Sequence, residues 1–291
     1  PLTEPGGDFD FSQLSTHGGE RVEIVRGPGS VLYGSDAVSG VIQIFTRSGR
    51  SSGWRSYARG GTFGTSALDL SAEGGDRSRR GAISASRYRT SGIYAFNNAY
   101  DRIAVTASAA GNLGGGTESR LLVRYGEDGV HIPTDGTGAV VDRNAAQSTQ
   151  RALLTASVSR PFGDRTQTSL QVSTVHNASR YDDRSDDASD TLGFFAYRSL
   201  DNVNRSSIEA NATRDLGRSA RLIIGATLER QSQRSLNHSD SEFGADAGEL
   251  VASRLTQSVF AQGLWEGKLL SLLAATRIDR NDRFGTFVTY R

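Results

Sequence analysis

Five aspartates lie within one ten-residue stretch, which reads YDDRSDDASD over residues 181–190. Its acidic residues are Asp182, Asp183, Asp186, Asp187 and Asp190. Calcium prefers clustered carboxylate oxygens of this kind, but the stretch lacks the central glycine and closing glutamate of an EF-hand. The sequence therefore predicts either a solvated acidic loop, the favoured interpretation, or a loop that binds Ca²⁺.

A second pattern resembles a phosphate-binding loop only in its spacing. Gly29 and Gly34 are separated as in such loops, but Ser35 and Asp36 occupy the positions that require lysine and Ser/Thr. An aspartate facing phosphate would repel it. The chain also has no cysteine, which excludes thiolate metal sites and cysteine nucleophiles. Neither pattern predicts a catalytic centre.

The composition indicates a turn-rich β protein without a strong overall field. The 291 residues include 34 glycines, and the net charge is +1. This balance gives no reason to expect a nucleic-acid partner. The most apolar stretch, residues 269–275, is far shorter than the roughly 20 residues of a membrane helix. If the chain crosses a membrane, it must do so as a β-barrel.

From Trp54 onward the sequence repeats runs of about ten residues in which apolar and polar side chains alternate. In one run Leu68 and Leu70 oppose Asp69 and Ser71. Counting such runs predicts roughly eleven or twelve antiparallel strands. A soluble β-sandwich also alternates, so this pattern alone leaves both architectures open.

The connections between these runs favour a membrane barrel. Short connections fall near residues 76–79, 112–116, 160–164, 214–218 and 266–267. Long polar connections fall near residues 90–99, 127–146, 178–202 and 232–250. Outer-membrane barrels have short periplasmic turns and long extracellular loops, with aromatic girdles at both interfaces. We therefore expect a transmembrane antiparallel β-barrel.

Residues 20–47, ERVEIVRGPGSVLYGSDAVSGVIQIFTR, form a different, glycine-punctuated unit. They predict a strand over 21–26, a Gly-Pro turn, a helical turn over 30–33 and a closing strand over 41–46. Gly27, Gly34 and Gly40 permit backbone angles that other residues resist, so the unit can fold back tightly.

This segment resembles the C-terminal part of the plug domain of TonB-dependent outer-membrane receptors, where a run of the form RIEVLRGP-x-S-x-LYG-x-x-A-x-GGVINI is typical. The matching motif residues include Arg26, Gly27, Pro28, Leu32, Tyr33, Gly34 and Gly40. Ser39 replaces the first glycine of the usual pair. The C-terminal RIDRNDRFGTFVTYR is similar to barrel segments of cobalamin-type receptors. The resemblance implies an α+β plug tail over residues 1–50 and, over residues 51–291, the first half of a barrel of about 22 strands. It also implies sequence missing at both ends.

The resemblance further implies active import of a scarce ligand, such as a siderophore, cobalamin or a similar chelate, across the bacterial outer membrane. No catalytic residue and no resident cofactor are expected, calcium excepted. The implied partners are the TonB–ExbB–ExbD complex, acting through a segment before residue 1, outer-membrane lipid and the chelate itself. A passive porin or adhesin barrel is the alternative, although it would lack residues 20–47. The substrate-binding residues stay unassigned.

A charged plug inside a polar lumen needs compensation, because an unpaired buried charge costs several kcal/mol. We expect Arg26 or Arg47 to pair with barrel carboxylates that alternate with apolar, lipid-facing residues. The candidate carboxylates are Asp69, Glu73, Glu209 and Glu229. The alternative is that these acids face lumen water.

Overall fold

The computed structural model describes residues 18–27, 29–34, 37, 39–49, 51–187 and 194–291. These residues form two antiparallel sheets, one of two strands and one of twelve. We call residues 18–49 the hairpin unit and the twelve-stranded sheet the wall. The all-β class predicted from the alternating runs is confirmed.

The hairpin unit is a strand, one helical turn and a returning strand. Its elements are β1 (Gly19–Arg26), α1 (Ser30–Tyr33) and β2 (Gly40–Thr46), and β1 pairs with β2. Gly27 and Gly34 both have φ of 93°, in the left-handed region that glycine favours. A side chain on Gly40 would stand 2.7 Å from the carbonyl oxygen of Val25. The motif glycines therefore allow the tight reversal that the sequence predicts.

The wall is a meander in which each strand pairs with the next along the chain. Its strands are β3 (Gly53–Gly60), β4 (Ser66–Gly75), β5 (Arg79–Thr90), β6 (Tyr100–Gly114), β7 (Thr117–His131), β8 (Ala146–Pro161), β9 (Thr166–Asp183), β10 (Phe194–Asp215), β11 (Ala220–Ser241), β12 (Gly244–Glu266), β13 (Ser271–Asn281) and β14 (Gly285–Tyr290). Within the described residues β3 and β14 are its two edges, so the sheet is open. An open sheet of consecutive antiparallel strands is the form expected for the predicted partial barrel.

The wall exposes its apolar face and covers its polar face, which is the reverse of the arrangement in a soluble protein. The apolar side chains of Leu70, Ile224 and Leu270 are 49%, 48% and 57% exposed. On the opposite face Ser86 and Thr149 are buried. A soluble sandwich would hide the apolar face and expose the polar one, so that alternative is wrong. The apolar face is suited to lipid.

Connections of two kinds collect at the two ends of the strands. Residues 76–78, 115–116, 162–165, 216–219 and 267–270 connect strands at one end, which we call the short-turn rim. The other end, the long-loop rim, carries residues 61–65, 91–99, 132–145, 184–187, 242–243 and 282–284. Among the described residues, no helix is long and apolar enough to cross a bilayer.

Two of the predicted long loops are much shorter than expected. Most of residues 178–202 and 232–250 is strand, because β9 continues to Asp183, β10 begins at Phe194, and β11 and β12 meet across residues 242–243. A strand needs only about 9–11 residues to cross the bilayer, whereas β12 has 23. Paired strands satisfy each other's backbone groups whether or not their side chains alternate, so polar hairpins continue past the lipid.

The turn between β4 and β5 is closed by a carboxylate. Asp76 Oδ1 accepts hydrogen bonds from the hydroxyl and the backbone N–H of Ser78, both at 2.7 Å, and from the N–H of Arg79 at 2.9 Å. These bonds, the Ser78 hydroxyl first, lower the pKa of Asp76 to about 2. The carboxylate is therefore charged, and the turn closed, at any physiological pH.

Candidate functional site

The hairpin unit contacts the wall through α1, whose helical turn lies on β12, β13 and β14. Val31 is 5% exposed and packs with Phe260 and Ala275 in a small apolar cluster, bordered by Leu32 and Ile223. We call the wall surface that carries the hairpin unit the inner face. Ile223 interrupts the polar pattern of this face in the sequence, and its contact with the cluster gives the reason.

A buried arginine binds the backbone of α1 beside this cluster. Arg277 donates from Nη1 to the carbonyl oxygen of Val31 at 3.3 Å and from Nε to both Asp279 oxygens, at 2.9 and 3.1 Å. Asp279 also accepts from Ser258 Oγ at 2.5 Å, and the guanidinium lies 5.7 Å from the centre of the Phe260 ring. We call Arg277, Asp279 and Ser258 the clasp. Because Asp279 orients and neutralises the guanidinium, Arg277 is held ready to bind the hairpin unit.

Alternation along residues 270–279 assigns Arg277 and Asp279 to the polar side of a strand, but it does not mark them as site residues. The available signal was their spacing, since residues i and i+2 of a strand share a face. An Arg-x-Asp pair on the polar face of a lipid-facing strand can form an ion pair inside the lumen. Its partner Val31 could not be found this way, because it contributes only a backbone carbonyl.

A second attachment joins the C-terminal end of the hairpin unit to β4 and β6. Arg47 Nη1 lies 3.4 Å from Glu73 Oε1, which also accepts from Arg55 Nη1 at 2.9 Å. Ser108 Oγ donates to the carbonyl oxygen of Arg47 at 2.5 Å. The structure therefore brings together Arg47 and Glu73, one of the pairs considered from the sequence. We call this contact the Arg47 attachment.

The linker after Arg47 passes too close to the wall to carry a side chain. Gly49 has φ of 73°, and a Cβ there would overlap the backbone of Gly81 and stand 2.8 Å from the carbonyl oxygen of Gly74. Backbone therefore packs directly on backbone where the hairpin unit continues into β3.

The other predicted ion pairs do not form between the hairpin unit and the wall. Arg26 is exposed at the end of β1 and has no ion pair with the described residues. Glu229 pairs with Arg205 at 2.7 Å, and Glu209 accepts from Asn211 Nδ2 at 3.1 Å. Asp69 lies on the inner face, opposite Ser86 of β5. Arg205 and Asn211 belong to the wall, so both glutamates have partners within the wall and none from the hairpin unit is required.

The remaining motif residues lie around the clasp or outside the described residues. Leu32, Tyr33 and Gly34 line a cavity of about 630 Å³ between α1 and the inner face of β9–β14. Glu209 and Glu229 line the same cavity. Pro28 falls outside the described residues.

The acidic stretch is engaged by protein groups. Asp182 accepts from Arg180 at 3.1 Å and from Arg184 at 3.0 and 3.1 Å. Asp186 Oδ1 accepts from the side-chain amide of Asn144 at 3.0 Å and from the backbone N–H of Arg143 at 2.9 Å, which ties two neighbouring loops together. Asp183 ends β9, Asp187 is exposed, and Asp190 falls outside the described residues. In the part of the chain that the structure describes, no three acids or histidines are grouped to hold a metal ion. Calcium binding by the whole stretch stays a prediction, because residues 188–193 fall outside the described residues.

Comparison with known sequences finds similarity over short stretches of the chain. Residues 2–41 match the family described as TonB-dependent Receptor Plug Domain. A stretch of 51 residues, 18% of this chain and 8% of the relative, is 43% identical to the vitamin B12 transporter BtuB of Vibrio vulnificus strain CMCP6. Another of 28 residues, 10% of this chain and 4% of the relative, is 68% identical to the iron-regulated outer membrane virulence protein of Vibrio cholerae serotype O1 strain O395.

Solved structures share the fold over almost the whole chain. The copper transporter OprC superposes with a TM-score of 0.74 and 13% identity, over 96% of this chain and 47% of OprC. The siderophore receptor PiuA of Acinetobacter baumannii gives a TM-score of 0.72 and 12% identity, over 95% of this chain and 50% of PiuA. The chain thus spans about half the length of these receptors. The fold and the contact site define an outer-membrane β-barrel protein with an internal plug. Within that class, residues 2–41 match the plug domain of TonB-dependent receptors, and the wall shares the fold of the solved structures above.

Proposed function

We propose that this chain supplies the plug tail and part of the barrel wall of an importer that takes up a scarce chelate across the outer membrane. The observation that carries the proposal is the attachment of the motif-bearing hairpin unit to the polar face of a lipid-facing sheet, at the clasp and at the Arg47 attachment. A passive pore would have no use for a segment fixed across its lumen.

In this role the chain makes and breaks no covalent bond, and its functional residues position the plug. The clasp resists displacement of α1. A ligand therefore passes between α1 and the wall only after the Arg277–Val31 hydrogen bond has been broken. The energy for that step would come from the TonB–ExbB–ExbD complex. The ligand would be a siderophore, cobalamin or a related metal chelate.

The test is uptake with and without energy coupling. The whole importer that contains this chain is expressed in a receptor-deficient bacterial strain, and accumulation of radiolabelled ferric chelates and cobalamin is measured in TonB-positive and TonB-negative backgrounds. We expect uptake only in the TonB-positive strain. Equal uptake in both strains would favour the porin alternative, and absence of uptake in both would contradict the proposal. Heat-modifiable migration on gels checks that the barrel is folded in each case.

A further inference from the structure

A cavity of about 380 Å³ opens on the inner face near the long-loop rim, away from both plug attachments. The side chains that matter in it are Tyr57, Arg59, Asp69, Tyr88, Tyr100 and Arg102. Arg102 lies four residues along β6 from Thr106, which borders the hairpin unit. At about 3.3 Å per residue this places the cavity roughly 13 Å beyond the hairpin unit. It therefore faces the side of the plug from which a ligand would arrive.

Arginine outnumbers carboxylate on this part of the wall. Toward the long-loop rim, the inner face of β3–β8 carries four arginines and two aspartates, a net charge of +2, namely Arg59, Arg102, Arg124 and Arg151 against Asp69 and Asp128. Asp128 lies 3.3 Å from Arg151, whereas Arg102 and Arg151 both repel Arg124. The described residues provide neither an ion pair nor a hydrogen bond for Arg59 or for the half-buried Arg102. The described residues therefore leave a net positive charge on this part of the inner face.

The geometry suits a flat anionic group. A positive surface inside a cleft concentrates anions, and the guanidinium fork matches a carboxylate in two parallel hydrogen bonds. Tyr88 and Tyr100, with ring centres 5.9 Å apart, provide apolar faces beside the arginines. We infer that this cavity binds a carboxylate group of an anionic metal chelate, with Arg102 and Arg59 as its ligands. The inference rests on the proposed function and narrows its ligand class to anionic chelates.

The experiment measures binding apart from transport. Outer-membrane vesicles from cells that express the whole importer containing this chain are equilibrated with radiolabelled ferric citrate, and vesicles without that importer give the background. Arg102→Gln should weaken binding at least tenfold, as expected for loss of a charge-assisted hydrogen bond, and Arg59→Gln should also weaken it. Arg102→Lys should keep part of the affinity. Arg89→Gln, an exposed arginine on the opposite face of β5, is the matched control and should change binding less than twofold.

Other ligands and salt separate the outcomes. Binding of ferric citrate should fall as ionic strength rises, and the neutral hydroxamate chelate ferrichrome should not compete. Metal-free citrate competing as well as ferric citrate would show that the cavity recognises the carboxylate alone, which still supports the inference. Unchanged affinity in both glutamine variants, or absence of ferric citrate binding to the parent chain, would overturn it. TonB-dependent uptake of a neutral ligand that is insensitive to Arg102→Gln would leave the proposed function standing without the inference. Arginine-dependent binding of ferric citrate without TonB-dependent uptake would support the inference and contradict the proposed function.

Discussion

Removing the clasp arginine should release α1 from the wall. A hydrogen bond to a charged group contributes about 1.5–3 kcal/mol, and the bond from Arg277 to the Val31 carbonyl is buried. Because the Arg277–Asp279 pair belongs to the wall and persists when α1 moves away, only the bond to Val31 counts toward release. Because each 1.4 kcal/mol changes an equilibrium constant tenfold, Arg277→Ala should raise the population of the released state roughly 10- to 100-fold.

The chain has no cysteine, so Val31→Cys introduces a single thiol in the contact and maleimide labelling reports its exposure. Arg277→Ala should increase the labelling rate by the factor above, whereas Arg280→Ala, on the opposite face of β13, should not. Arg277→Ala also leaves Asp279 as an uncompensated buried charge, which costs about 3–5 kcal/mol and could unfold the wall. The neutral pair Arg277→Met with Asp279→Asn avoids that charge and should label equally fast. Labelling of this folded double variant at the parent rate would refute the role assigned to the clasp.

Three further perturbations have defined outcomes. Gly49→Ala should prevent the linker from lying against Gly81. Protease cleavage between the hairpin unit and the wall should then be faster, and cleavage at the parent rate would contradict this expectation. Leu70→Arg, on the apolar face, should destabilise the folded barrel by about 2–4 kcal/mol in urea titrations in lipid vesicles, whereas Ser71→Arg on the inner face should have a smaller effect. Asp76 has a pKa lowered to about 2, so the stability it contributes is present above its unfolded pKa of about 3.9 and is lost as pH falls toward 2. Amide exchange in this turn should therefore be faster in Asp76→Asn than in the parent at pH 7, and the difference should disappear near pH 2.

Much of the wall was predictable because lipid imposes a simple rule on it. Alternation along Leu68–Leu70 and its counterparts assigns one face to lipid and the other to the lumen, and each strand then pairs with the next. The hairpin unit was predictable for a different reason, since Gly27, Gly34 and Gly40 mark the places where the backbone must turn. Both signals are local, and a single sequence contains them in full.

The contacts between the hairpin unit and the wall were much less predictable. Arg277 and Val31 are 246 residues apart, and no local pattern connects a strand arginine with a distant carbonyl. Glu229 illustrates the converse error, because its partner Arg205 is supplied by the adjacent strand. Polar residues on the inner face can pair with neighbours in the sheet or with the plug, and only the three-dimensional register decides between these. The overlong loops were a related error, since polarity marks exposure to water and not the end of a strand.

The two attachments of the hairpin unit have different capacities for movement. Arg47 lies six residues before β3 begins at Gly53, so chain connectivity keeps it beside the wall even when its partly exposed ion pair with Glu73 is screened. The contact of α1 has no such tether, because β12, β13 and β14 lie far along the chain and, among the described residues, the clasp and the apolar cluster hold it there. Pulling on the hairpin unit should therefore separate α1 from Arg277 before the Arg47 attachment moves. That separation would enlarge the cavity between α1 and β9–β14, and opening would begin on the side of the wall opposite the linker.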